Sequence, residues 1–108
     1  METIERKGRL RTIKGRLSSF DDLPQEKQLI FKNIKNAINE AFEKDINVYV
    51  FGSYYWGFWD ELSDFDVTVE YDLKDNVSEI NKALEVLKVL KIETDIQIKR
   101  GNMGILIP

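Results

Sequence analysis

Asp64, Asp66 and Asp95 are the residues best equipped for chemistry, with Gly52-Ser53 and Lys99 as their companions in the pattern. From Asp64 to Glu70 polar and apolar residues alternate, so Asp64, Asp66, Thr68 and Glu70 share one face of a strand. Phe65, Val67 and Val69 take the other face. Ile92 to Lys99 alternates in the same way, placing Asp95, Gln97 and Lys99 opposite Ile96 and Ile98. Adjacent strands lie about 4.8 Å apart, so neighbouring strands would set Asp95 beside Asp66. Carboxylates that close repel unless a cation joins them. Oxygen ligands alone suit Mg²⁺ or Mn²⁺, and Mg²⁺ is usually shared between one or two carboxylates and substrate phosphates. The cluster therefore predicts a nucleotide.

Gly52-Ser53 follows an apolar run, Ile46–Phe51. Glycine there lets a phosphate approach the backbone, and Ser53 adds a hydroxyl donor. A short helix starting at Ser53 would add backbone N–H groups and a favourable dipole. A phosphate at Gly52-Ser53 and a metal at Asp64 and Asp66 would grip two ends of one triphosphate.

Composition narrows the alternatives. The 108 residues include no Cys and no His. Disulfides, thiol nucleophiles, zinc sites with Cys or His ligands, and serine triads are excluded. Catalysis must rest on carboxylates, amines, hydroxyls, backbone dipoles or an oxygen-bound metal.

Several elements must position these residues. A helix is predicted over about residues 23–44, capped by Asp22, with Ile30, Ile34, Ala37, Ile38, Ala41 and Phe42 on one stripe. Ile46–Phe51 and Phe65–Tyr71 read as strands joined by a short link that permits antiparallel pairing. Ser78 can cap a helix over about 79–91, and Ile92–Lys99 is a third strand. Strand, helix and strand then form a βαβ unit with a parallel, right-handed crossover. Gly101–Pro108 offers a last short strand. The expected class is α+β (mixed α/β): a small mixed sheet with helices on one face and the carboxylates on the open face.

Gly52-Ser53, a ten-residue gap and Asp64-Phe65-Asp66, with Ser63 before the pair, Gly57 in the gap and Asp95 in Thr94-Asp95-Ile96, resemble the signature of the minimal nucleotidyltransferases. These belong to the DNA-polymerase-β-like superfamily, and the element order over about residues 23–99 agrees. The resemblance implies that Gly52 and Ser53 hold the β- and γ-phosphates of ATP or another NTP. It implies that Asp64 and Asp66 bind two Mg²⁺ ions, with Mn²⁺ an alternative. Asp95 would share the metal near the α-phosphate and help deprotonate the attacking hydroxyl. One position departs from the pattern: many relatives carry arginine directly before the gap glycine, and here Trp56 precedes Gly57. Lys99 is the candidate for the missing charge.

Larger relatives carry an added acceptor-binding domain, whereas here only nine residues follow Lys99. Similar minimal members pair with a separate helical HEPN-domain ribonuclease toxin and act as its antitoxin by transferring AMP to a tyrosine. That is the leading reading, with homo-oligomers also compatible. The alternative is a catalytically weak or inactive module of the same fold that binds a partner or nucleotide.

Residues 1–16 hold six bases and two acids, and the remaining 92 hold 10 bases and 17 acids. Residues 1–20 are expected to form a basic arm, solvated or weakly docked, before a single domain over 21–108. Nucleic-acid binding by the arm is the less favoured reading, and the alternation over Arg9–Leu17 also permits a short edge strand. The N-terminus carries no secretory pattern and no apolar run spans a bilayer, so a cytoplasmic location without membrane contact is expected. Eight of twelve aromatics fall between Tyr49 and Phe65. Among these, Trp56, Phe58 and Trp59 are expected to form an interface or a nucleotide wall.

Overall fold

The computed structural model describes residues 2–70 and 96–108, together with Asn81 and Glu85. The chain opens with a hairpin, β1 (Thr3–Arg6) and β2 (Arg9–Thr12), paired from Thr3↔Thr12 to Arg6↔Arg9. Lys7 and Gly8 make its two-residue turn with φ of 51° and 75°. Primed turns, whose twist matches that of the paired strands, place their central residues in this positive-φ region.

Helix α1 runs over Gln25–Phe42. Its start corrects the expected Asp22 cap. Pro24 forces the preceding residue out of helical space, and Leu23 is extended with ψ of 149°. Asp22 instead closes a 3-10 turn over Phe20–Asp22, accepting from the Ser19 N–H while Ser19 Oγ accepts from the Asp21 N–H. Phe31, Ile34, Ala37 and Ile38 are buried along α1, and so is Lys27. Phe31 lies outside the expected stripe, yet it is fully buried and meets Tyr54 and Phe65 edge-on, each at 5.3 Å between ring centroids.

Strand β3 (Asn47–Val50) pairs antiparallel with β4 (Phe65–Glu70), as the short link between them allows. Strand β5 (Ile96–Arg100) pairs parallel with β4, and β6 (Ile105–Leu106) pairs antiparallel with β3. The sheet order is β5-β4-β3-β6. Phe65, Val67 and Val69 sit in the core with Val48 and Val50, as alternation requires. The opposite face is less open than expected: Thr68 is buried and donates a 2.7 Å hydrogen bond to the Met103 carbonyl as the tail crosses it. The helix expected over about 79–91 and the first part of the third strand, Ile92–Asp95, lie outside the described residues, apart from the two helical positions Asn81 and Glu85. Among the described residues no helix is long and apolar enough to cross a membrane.

Candidate active site

Strand β3 ends one residue before a five-residue helix, α2 (Gly52–Trp56), which Gly57 terminates in the left-handed region. The helix starts at Gly52 rather than Ser53. Gly52 has φ of 64°, and a Cβ added there would lie 2.6 Å from the Asp66 Cβ. Its glycine character is therefore required by Asp66, the side chain it meets across the β3–β4 pair, as well as by any phosphate. The Phe51 N–H donates to the Asp66 carbonyl at 2.9 Å and ties the two motifs together.

Asp64 immediately precedes β4 and Asp66 is its second residue, on the polar side of the strand as alternation predicts. Asp66 is half-buried, and burial followed by the charge of Asp64 pushes its carboxyl above the usual range. Lys99 and Lys7 oppose that shift. Asp66 lies across from Gln97 in the parallel register, and Thr68 across from Lys99. Gln97, not the expected Asp95, is therefore the residue across from Asp66, and Asp95 itself lies outside the described residues. Among the described residues no three acidic, His or Cys groups cluster to hold a metal. The pair Asp64 and Asp66, two oxygen donors lining one cleft, nevertheless fits a divalent cation bridged to phosphate.

A cleft of about 350 Å³ opens over these residues. Gly52, Ser53, Asp64, Asp66 and Lys99 all line it, so five of the six residues singled out by sequence share one cavity. The basic arm supplies what sequence reading missed. Arg6, Lys7, Arg9 and Arg11 line the same cleft, giving it five cations against two carboxylates. The charge asymmetry of the first 16 residues, joined to Trp56 in an arginine position, was the available signal.

The arm is an ordered hairpin docked through a few residues, while most of its side chains stay exposed. Arg9 grips Asp60 with two hydrogen bonds, Nε to Oδ2 at 2.7 Å and Nη2 to Oδ1 at 3.0 Å. The Arg11 side chain is 3% exposed, and its Nη1 donates to the Phe58 carbonyl and to Ser63 Oγ. Its buried Nε faces Asp60 at 3.7 Å without a hydrogen bond. Lys14 N–H donates to the Gly57 carbonyl and Leu17 N–H to that of Tyr55, each at 2.8 Å. Gly57 packs on the Gly15 backbone so closely that an added Cβ would lie 2.6 Å from the Gly15 carbonyl carbon. A buried guanidinium with a carboxylate 3.7 Å away and a backbone carbonyl and a hydroxyl as hydrogen-bond partners explains why a charged segment docks.

The aromatic expectation divides. Trp56 is 41% exposed, and both it and Phe58 line the cleft. Trp59 does not; it packs against the core, stacked on Tyr54 at 5.0 Å with 14° between planes, and Lys14 Nζ sits 4.4 Å above its ring. Its length lets it reach inward from the loop, which spacing alone does not reveal. Tyr54 also stacks on Phe65, its hydroxyl is buried without a partner among the described residues, and burial pushes that hydroxyl above its ordinary pKa.

Comparison with known proteins returns no match among curated proteins or solved structures. A family model for the nucleotidyltransferase domain matches residues 31–101, which include Gly52-Ser53, Asp64, Asp66 and Lys99. With the mixed sheet and its cleft, that match settles the family: the chain belongs to the nucleotidyltransferase domain family and has the polymerase-β-like α+β fold.

Proposed function

We propose that the protein is a Mg²⁺-dependent nucleotidyltransferase that moves NMP, AMP from ATP in the leading case, onto a hydroxyl of a separate partner. The observation that carries this reading is the meeting of Gly52-Ser53 with Asp64 and Asp66 in a cleft of net positive lining. In a chain of formal net charge −3, a concentration of cations around two carboxylates fits a polyphosphate joined to metal.

Asp64 and Asp66 would hold the ions, and Asp95, next to β5 in sequence, would complete the set and receive the proton of the attacking hydroxyl. Bound metal would supply charge neutralisation at the phosphates. Gly52 and Ser53 would seat the β- and γ-phosphates, and Lys99 would add a positive charge beside them. The hydroxyl oxygen forms a bond to the α-phosphorus, the bond to the bridging oxygen breaks, and pyrophosphate leaves. Positioning two reactants in line provides a large part of the rate gain.

The acceptor we propose is a tyrosine of a helical HEPN-type toxin, with this protein as its antitoxin in the cytoplasm. The test is incubation with such a partner, each NTP and Mg²⁺, scoring pyrophosphate release and a mass gain of one nucleotide on the partner. The expected result is transfer in the wild type and loss in Asp64→Ala and Asp66→Ala. Identical behaviour of wild type and variants with every nucleotide overturns it. Trp56 in the arginine position favours a second reading, a module that binds without turnover. Tight nucleotide or partner binding with no pyrophosphate release would select that one.

A further inference from the structure

The turn of the N-terminal hairpin carries an unusual residue. Lys7 has φ of 51°, a left-handed conformation that a long unbranched side chain adopts at a cost and that Asn or Gly takes readily. Such positions persist where the surroundings hold them and often mark function. The surroundings here are specific. Arg9 and Arg11, just behind the turn, are pinned by Asp60, Phe58 and Ser63, so the hairpin cannot swing away without breaking those bonds. The result is that Lys7 Nζ stands 3.5 Å from Asp64 Oδ2, at the rim of the cleft, with its side chain 72% exposed. Arg6 beside it lies 5.5 Å from the Phe58 ring centroid and lines the same cavity.

Resting on the proposed nucleotidyltransferase reading, we infer that Lys7 is a polyphosphate-binding residue, delivered to the cleft by the hairpin and standing in for the cation that Trp56 does not provide. Without nucleotide its ammonium neutralises Asp64. With nucleotide, a phosphate oxygen offers it a second anionic partner while Asp64 turns to metal. An exposed, strongly hydrated ammonium on a flexible stem suits that exchange better than the guanidinium groups of Arg9 and Arg11 behind it, which are committed to Asp60, Phe58 and Ser63. The assignment explains why a lysine occupies a turn position that disfavours it.

The test uses the full chain with Mg²⁺ and the α,β-methylene analogues of ATP, GTP, CTP and UTP, which cannot be cleaved at the α-phosphorus. Calorimetry compares these analogues with the corresponding monophosphates. Lys7→Asn relieves the turn while removing the charge, so structure and binding are expected to move in opposite directions. Its melting temperature should stay level or rise, and its affinity for the preferred triphosphate analogue should fall about tenfold, the loss of one charge-assisted contact. Monophosphate affinity should change less than about threefold, and Lys7→Arg should keep triphosphate binding within about threefold. Unchanged triphosphate binding in Lys7→Asn overturns the assignment while leaving the enzyme reading intact. Equal weakening of mono- and triphosphate overturns it as well, and so does a joint loss of stability and binding in both variants. A wild type that binds none of the analogues overturns this inference and the proposed function together.

Discussion

Asp60 accepts two hydrogen bonds from Arg9, one from Ser63 Oγ and one from the Leu62 N–H. Those partners, Arg9 first, hold its carboxyl well below the usual carboxylate range. Asp66, six residues later, is half-buried, makes no side-chain hydrogen bond among the described residues, and is pushed the other way by burial and by Asp64. One segment thus contains a saturated carboxylate and a deliberately under-satisfied one. Four hydrogen bonds, three on Oδ1 and one on Oδ2, mark the carboxylate that builds the fold, because most of its acceptor capacity is already used within the chain. Shortage of partners is what the proposed function expects of a carboxylate that takes its ligand from outside.

The largest effect that would sharpen this contrast is on Asp66. Asp66→Asn is expected to lower nucleotide-dependent pyrophosphate release by about a thousandfold, as befits loss of several kcal/mol of metal-assisted stabilisation. Its melting temperature should be equal or higher, because a desolvated charge with no hydrogen-bonded partner has been removed. A clear drop in melting temperature would break the contrast by showing Asp66 to be structural. Gly52→Ala approaches the same carboxylate from the other side. The new methyl meets Asp66 and sits at positive φ, so we expect a stability loss of about 1–3 kcal/mol in urea unfolding and at least tenfold weaker turnover. Normal turnover would mean that Asp66 is free to move aside.

Asp60→Asn tests the saturated side. It strips the counter-charge from an Arg11 side chain that is 3% exposed, and should cost about 1–3 kcal/mol, less than for a fully buried pair because Asp60 itself is 27% exposed. Acid should reveal the same linkage. A carboxyl whose native pKa lies below its ordinary 3.8 binds fewer protons folded than unfolded, so its contribution is full above that pH and fades as pH falls below it. Urea titrations between pH 6 and pH 3 should therefore show a steeper fall for the wild type than for Asp60→Asn. Parallel curves would deny Asp60 its role as anchor of the hairpin.

The two carboxylates also differ in how readable they were. Asp64 and Asp66 declare themselves through strand alternation and the spacing from Gly52-Ser53, all local features. The parallel and antiparallel pairings follow from the lengths of the links, and five of six expected site residues meet in one cleft. Asp60 carries no local signal, since its meaning depends on Arg9 and Arg11, some fifty positions away. The docking of the arm was illegible for the same reason: charge runs usually stay in water, and only the buried partners reverse that rule. Trp59 was misread because side-chain reach decides its burial, which spacing does not encode. Phe31, three residues before Ile34 and seven before Ile38, is legible at helical spacing although the expected stripe omits it. Asp95 is readable in the sequence and falls outside the described residues.

The smallest expected effect probes where the cleft obtains its positive charge. Trp56→Arg introduces the arginine of the minimal-nucleotidyltransferase pattern that this chain resembles, at a position lining the cleft and 41% exposed, so the fold should tolerate it. If the saturated Asp60 exists to bring the hairpin's cations over the site, the introduced arginine is partly redundant. Triphosphate affinity should then rise only about two- to threefold in the wild type, the worth of one more exposed charge. In the Lys7→Asn background the same substitution should gain more, about tenfold, because the position it compensates is empty. The pair of measurements forms a double-mutant cycle whose coupling reads the redundancy directly. Equal gains in both backgrounds would mean that Lys7 and residue 56 address different parts of the ligand, and the hairpin would then be an addition to the family's phosphate site rather than its replacement.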